Sequence, residues 1–482
     1  MNILIVGNGF DLSHYLPTKY DHFMDVMKAV KEKETGEKIK DLSIYPVEGW
    51  MKQLDTIFEK REGAVADPNY TMSFHELFSQ TRDSNFIEKT KEFYLTEQIH
   101  LSTKDVLKLQ YRLELNSWYQ YFKNHVEEIK TWIDFEQKIE EVLTTLVNCL
   151  VEIEKIKRSS EYFKYFEHEH MDGNRIKEKD FKILNFFSFI TPEEYKVKIP
   201  IASILDSRPY EIAKRNNLNP KFCHGEKLEN GFNPSGFIDF LHQQLEEFIS
   251  IFDQYLELIV SRLEPYSQLQ IDAKEWLYPD RIYSFNYTNT YQRIHGSVDV
   301  EYLHGSHGED QNIVLGVADL DNEPLKKIKA YGFTKYQQKL FKDTDYLFLD
   351  NYKLRIIDNK KKLESLDRSF NGDHRTKEMF INELIKNEIF NLNFHIWGHS
   401  LDVSDKDYII DLFSLNDEVD RKVRVIVYYF NKTAKFDLLN NLLAILGKEK
   451  VEHWMKNKWL QFKENPKITT EDAITLKDLP KM

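Results

Sequence analysis

The first residues constrain this chain most. Asn2-Ile3-Leu4-Ile5-Val6, apolar from Ile3 onward, stops at Gly7, the pattern of a buried parallel strand handing over to a turn. Parallel strands need crossover connections and cover on both faces, so a chain that starts this way is committed to an α/β architecture. Residues 281–285, 298–303, 312–317, 393–398 and 423–430 are further short β-rich runs, several followed by helical patterns.

Between the first strand and the others the rhythm changes. Long helical periods dominate from about Lys19 to Pro265. The clearest helix follows Asn233-Pro234, a cap and first-turn proline, with Phe237, Leu241, Leu245, Phe248, Phe252, Leu256 and Ile259 stepping by three or four before Pro265. That stripe reads as core packing. Another helical stretch spans residues 103–157, and residues 158–180 read as an exposed loop or a break between helices. The expected organisation is a sheet core from residues 1–20 and 266–448, a mostly helical insertion or cap over 21–265, and a C-terminal helical tail over 449–482. Lys360–Lys362 reads as part of a solvated loop.

A length of 482 residues, 41% hydrophobic and 14% aromatic, supplies a sizeable core. The net charge of −13, with basic residues interspersed among acids, disfavours nucleic acid as a partner. Two cysteines, Cys149 and Cys223, cannot build a disulfide framework or a four-thiolate zinc site. No run approaches the length of a membrane span, and the start lacks the features of a signal peptide. The expectation is a cytoplasmic protein of bacterial type, with homo-oligomerisation left open.

Gly7-Asn8-Gly9-Phe10-Asp11 sits where the strand must turn into a helix. Glycines there let the backbone bend and let a phosphate approach the amides, and the helix adds its positive end. The stretch is not a Walker loop, and Leu12 holds the third glycine position of the dinucleotide fingerprint. A phosphate loop and a tight structural turn both stay open at this point.

Three more stretches place polar residues at strand ends, the edge where open α/β sheets bind ligands. Asn286 follows the strand ending at Phe285, although for an isolated asparagine the plainer reading is a helix start, with Asn286 or Thr288 capping the helix through Tyr291. His304-Gly305 follows another strand, and a histidine there suits a base or a partner for a ribose hydroxyl. Gly398-His399-Ser400-Leu401 follows a third, with Ser404 expected to cap the next helix. Asp405 and Asp407 are accounted for by that helix start. Two lookalikes are discounted. His168 and His170 lack metal-site spacing, and adjacent Cys223 and His224 rarely meet as nucleophile and base. His304 is preferred over His295 as the functional histidine.

Together the four stretches resemble the sirtuin pattern. Gly7-Asn8-Gly9-Phe10-Asp11 leading to Tyr15-Leu16-Pro17 matches its Gly-Ala-Gly-x-Ser and Gly-Ile-Pro. Ser284–Thr288 matches Thr-Gln-Asn-Ile-Asp, with Gly296 matching a later glycine. His304-Gly305 matches its His-Gly, and residues 398–403 match Gly-Thr-Ser-Leu-x-Val. More closely, residues 5–20, 285–291, 304–305 and 398–406 look like the AbiH family of bacterial abortive-infection proteins. That family usually has Gly where Tyr15 stands, and Thr288 stands where sirtuins have an aspartate.

The resemblance implies a sirtuin-like, Rossmann-type nucleotide-binding core and antiphage abortive infection against an unknown trigger. It also implies cleavage of NAD, as substrate, to nicotinamide and ADP-ribose without a metal. Asn286 would orient the ribose or the attacking water, His304 would serve as base, and Asp11 would stabilise the C1′ cation or cap its helix. Gly7, Asn8, Gly9, Phe10, Pro17, Thr288, Gly398, Ser400 and Leu401 would bind the nucleotide, Ser400 on the adenosine side. The alternatives are a nucleotide-sensing module without turnover and a zinc-free NAD-dependent deacylase.

Overall fold

The computed structural model describes residues 1–35, 70–125, 132–166, 176–198, 210–273, 278–344, 348–369, 375–376, 378–379, 392–417 and 423–470. Its centre is a mixed α/β layer built on six parallel strands: β1 (Asn2–Val6), β2 (Arg281–Ser284), β3 (Val300–Tyr302), β4 (Leu392–Trp397), β5 (Val423–Tyr429) and β6 (Leu460–Glu464). The spatial order is β6-β5-β4-β1-β2-β3. The chain therefore winds outward from β1 to one edge, returns to the middle at β4, and winds to the other edge. The direction reverses between β1 and β4, and ligands of open α/β sheets bind outside the carboxyl ends of the strands at such a reversal.

Register lines those ends up. Val6 lies opposite both Ser284 and Trp397, and Ser284 lies opposite Tyr302. Gly7, Phe285, Leu303 and Gly398 consequently leave the sheet at one level. Alternation along the strands explains how both faces are covered. Ile3 and Ile5 pack with Tyr283, Phe394, Ile396, Val425 and Val427 on one face, under the helices Lys406–Ser414 and Lys432–Leu446. Leu4 and Val6 pack with Ile282, Trp397 and Tyr428 on the other face, against Phe10 and Tyr291.

The connection from β1 to β2 carries a helical block with its own core. Among the described residues its longest helices are Trp132–Glu154 and Pro234–Tyr255, the second capped by the Asn233 side chain, which accepts from the Gly236 amide at 3.1 Å. Aromatic rings fill the interior: Phe135 sits 3.9 Å from Phe122 and 5.3 Å from Phe248, centroid to centroid, and Phe23 is 5.2 Å from Phe252. The block also holds a β-hairpin, Ile190–Lys198 with Tyr210–Leu218.

Three sequence expectations are corrected. Residues 312–317 do not join the sheet. Ile313, Leu315 and Val317 turn into the helical block's core, and the Gln338 side chain takes the place of a neighbouring strand, accepting from the Leu315 amide at 2.9 Å and donating to its carbonyl at 3.0 Å. The expected helical tail keeps one helix, Lys448–Lys456, before the chain forms β6 and a short strand, Ile468–Thr470. An apolar start to β6, Trp459 and Leu460, packs beside Trp454 and completes the sheet. Lys360–Lys362 falls within the helix Asp350–Ser369, not a loop. Glu167–His170 lies outside the described residues.

Candidate functional site

A cavity of about 320 Å³ opens where the strand order reverses. The sheet edge supplies Gly7, Asn8, Asp11, Asn286, Thr288, His304, Gly398, His399 and Ser400, while Tyr20, Glu136, Phe252 and Leu256 come from the helical block. Of the residues expected at the site, Gly7, Asn8, Asp11, Asn286, Thr288, His304, Gly398 and Ser400 line it together. Ser400 is exposed and stands at its mouth.

The glycines meet a packing demand before any ligand demand. The Gly7 amide donates to the Trp397 carbonyl at 3.0 Å and the Gly9 amide to the Gly398 carbonyl at 2.9 Å. The turns after β1 and β4 interlock: a Cβ on Gly398 would fall 2.1 Å from the Phe10 nitrogen, and one on Gly7 would fall 2.6 Å from the His399 Cα. Gly398 also has φ of +75°, a region that favours glycine. The amides of Gly7 and Gly9 are thus spent on the end of β4 and the turn after it rather than turned to a phosphate.

Four expected binding residues sit away from the cavity. Gly9 lies under the interlock. Phe10 is buried on the opposite face of the sheet, edge-on to Trp397 at 5.0 Å. Leu401 is in the core beneath the helix Lys406–Ser414. The Pro17 carbonyl accepts from the Tyr255 hydroxyl at 2.5 Å, which ties the N-terminal turn to the helical block. Tyr15, where the resembled family has glycine, has φ of +57° and stacks on Phe93 at 4.7 Å, so a ring contact accompanies the strained backbone.

At one end of the cavity the Thr288 hydroxyl donates to Asp11 Oδ2 at 2.5 Å, and Thr290 lies 3.1 Å from Thr288. Neither Asn286 nor Thr288 caps the helix Thr290–Ile294, whose cap position is Asn289. Asn286 instead stands beside Asp11. Asp11 Oδ1 and Asn286 Nδ2 are buried without a well-formed hydrogen bond within the described residues. Burial raises the Asp11 carboxyl to about 6, against the opposing pull of Thr288, Thr290, Arg293 and Asn286.

The other end is a buried charged cluster. Asp405 Oδ1 lies 3.1 Å from His304 Nε2 and 3.2 Å from Lys335 Nζ, and Asp405 Oδ2 lies 3.5 Å from His399 Nε2. Lys335 Nζ also reaches Glu136 Oε1 at 2.8 Å. Local structure aims each group. Gly305, with φ of +78°, turns the chain sharply after His304 against the Asn312 carbonyl. Lys335 begins a helix capped by Thr334, and its amide is anchored to the Val317 carbonyl at 2.9 Å.

Burial pushes the Asp405 carboxyl up, yet Lys335 and His304 outweigh it and hold it well below the usual carboxylate range. Burial lowers His304 to about 4, leaving it neutral near pH 7. Glu136 rises to about 7, mainly through burial. Lys335 occupies the position between the carboxylates that a cation would take, and among the described residues no group of His, Cys, Asp and Glu could hold a metal ion.

Sequence reasoning missed Lys335, Glu136 and Asp405. Asp405 had a sufficient local explanation as a first-turn acid, but the turn after β4 is capped by Asp402, which accepts from the Ser404 amide at 2.9 Å, and Ser404 is not the cap. His295 lies outside the cavity, its Nε2 2.7 Å from that of His14. Cys223 is buried with its thiol pushed up to about 11, unlike an activated nucleophile.

A protein-family model described as "Bacteriophage abortive infection AbiH" matches residues 3–206 and 221–429. No curated protein and no solved structure matches the chain. Among the described residues no helix is long and apolar enough to cross a membrane.

Two outcomes test this geometry. Gly398→Ala must displace the Phe10 backbone and hold alanine at positive φ, so urea unfolding should show a loss of roughly 2 kcal/mol or more; an unchanged midpoint would contradict the interlock. For Asp11, the folded state holds its proton to about 6, whereas an unburied aspartate loses it near 3.8. Wild-type stability therefore falls as pH rises through that window, and the cost is complete above it. Asp11→Asn should be more stable than wild type at pH 7 to 8, on the order of 1–3 kcal/mol, with the gap closing toward pH 4. Equal stability across that range would contradict the burial of an ionised Asp11.

Proposed function

This chain belongs to the bacteriophage abortive-infection AbiH family, and from that premise we propose that it serves defence by hydrolysing NAD to nicotinamide and ADP-ribose. The observation that carries the reading is the convergence of Asp11, Asn286 and His304 on one cavity at the reversal of a 3-2-1-4-5-6 parallel sheet. That strand order is the one dinucleotide-binding sheets have, which supports a Rossmann-type, sirtuin-like core. The cavity volume lies at the small end of ligand sites and suits the nicotinamide ribose, with the adenylate half leaving past Ser400.

The chemistry follows from charge. When the bond between C1′ and the nicotinamide nitrogen breaks, the electron pair leaves with nicotinamide and C1′ becomes cationic. A buried carboxylate that is ionised above about pH 6, Asp11, gains a counter-charge at that moment, so its electrostatic value lies in the transition state. Asn286, whose own Nδ2 is buried without a hydrogen-bond partner, holds the ribose or the incoming water. Water then adds to C1′ and its proton passes to neutral His304. Phe252, Leu256 and Phe285 exclude bulk water around the reacting centre.

The test is to incubate the purified full-length protein with NAD and separate the products by chromatography. Nicotinamide and ADP-ribose should appear in equal amounts with wild type, and Asn286→Ala should lower the rate about 10²-fold or more. Unchanged product formation by Asn286→Ala would overturn the assignment. Tight NAD binding with no products would make the site a sensor.

A further inference from the structure

We propose that Asp405 is the positioning residue for His304, holding its imidazole in the Nε2–H form with Nδ1 as the basic nitrogen, and that Lys335, braced by Glu136 of the helical block, fixes Asp405. The role as positioning residue rests on reading His304 as the base of the proposed hydrolysis, while the tautomer is a property of the protein itself.

Four segments far apart in sequence build this arrangement. Asp405 stands at the start of the helix after β4, His304 after β3, Lys335 at the head of the helix Lys335–Phe341, and Glu136 on the helix Trp132–Glu154. All four side chains are nearly buried, between 5% and 14% exposed. An ionised carboxylate has only acceptor sites. With Asp405 Oδ1 3.1 Å from His304 Nε2, the contact is attractive only when Nε2 carries the proton. In the neutral ring the lone pair is then on Nδ1.

His399 makes the same demand from the other side. The Leu401 amide donates to His399 Nδ1 at 2.9 Å, so the neutral His399 ring carries its proton on Nε2, which faces Asp405 Oδ2. Asp405 is thus faced by three groups: Lys335 Nζ donates to its Oδ1 at 3.2 Å, while His304 Nε2 and His399 Nε2 stand at ion-pair distance, the His304 N–H not yet aligned on the carboxylate. Besides Asp405, Glu136 Oε1 at 2.8 Å and the Ser404 hydroxyl at 3.4 Å complete the shell of Lys335. Across the working range the cluster takes its proton on Glu136 before Asp405, because Asp405 is held low and Glu136 lies near 7. The charged groups acting on His304 are Asp405, Lys335 and Lys339, with Lys339 Nζ 4.1 Å above the Tyr408 ring.

Removing a buried carboxylate that orients a base leaves the base in place but in the wrong tautomer. Asp405→Asn should therefore lower kcat for NAD by roughly 10²–10⁴-fold, with KM little changed. A role confined to packing would move stability and leave the tautomer alone. The direct readout is the ¹H–¹⁵N imidazole spectrum of the full-length protein, with the His304 signal identified by its loss in His304→Gln. Wild type should give the neutral Nε2–H pattern near pH 7, and Asp405→Asn, whose amide donates toward Nε2, should shift the ring to Nδ1–H. An Nδ1–H pattern in wild type overturns the proposal even if the variant fails to fold. So does an unchanged tautomer in a folded Asp405→Asn. If wild type gives the Nε2–H pattern yet never turns over NAD, the assigned tautomer stands and the hydrolase reading fails.

Discussion

The backbone contact between the turns after β1 and β4 governs the rest of the site. The Gly9 amide meets the Gly398 carbonyl, and the two chains approach so closely that neither Gly7 nor Gly398 has room for a side chain. This contact closes the floor of the crevice that strand reversal would otherwise leave open. It also sets the heights of Asp11, one turn into its helix, and of His399, just beyond the interlock. Glycine at these positions is required by packing alone.

The helical block then makes a cavity out of an edge. Phe252 and Leu256, continuing the buried stripe of the helix Pro234–Tyr255, form apolar wall, and Glu136 enters from the helix Trp132–Glu154. Lys335 links that helix to Asp405 on the sheet side. Buried ion pairs of this kind add little net stability, because desolvation offsets attraction, but loss of either partner is costly. Here they link the two layers, because Lys335 bridges Asp405 on the sheet side and Glu136 on the helical block.

The sheet was largely legible because short β-rich runs end at recognisable turns, and those ends carry Asn286, His304 and Gly398. What escaped notice follows from the same local logic. Asp405 satisfies a helix-start rule, so nothing in its neighbourhood signals a buried partner. Lys335 and Glu136 look like ordinary helical charges and acquire meaning only through contacts between distant segments. Residues 312–317 have strand composition, yet Gln338 offers their backbone a side-chain partner and the helical core takes their apolar faces. Phe10 and Leu401 belong to the right motifs but point into the sheet's cores, a distinction set by strand register that motif spacing does not carry.

The central claim is that one cavity, floored by the sheet edge and roofed by the helical block, receives the ribosyl end of NAD. Hydrogen exchange of the full-length protein, measured with and without saturating ADP-ribose, addresses it without depending on turnover. Slowed exchange should concentrate in peptides covering residues 8–20, 132–140, 284–290 and 398–406, which supply wall from both layers. Protection confined to other surfaces, or no protection in any of these four segments, would contradict the account.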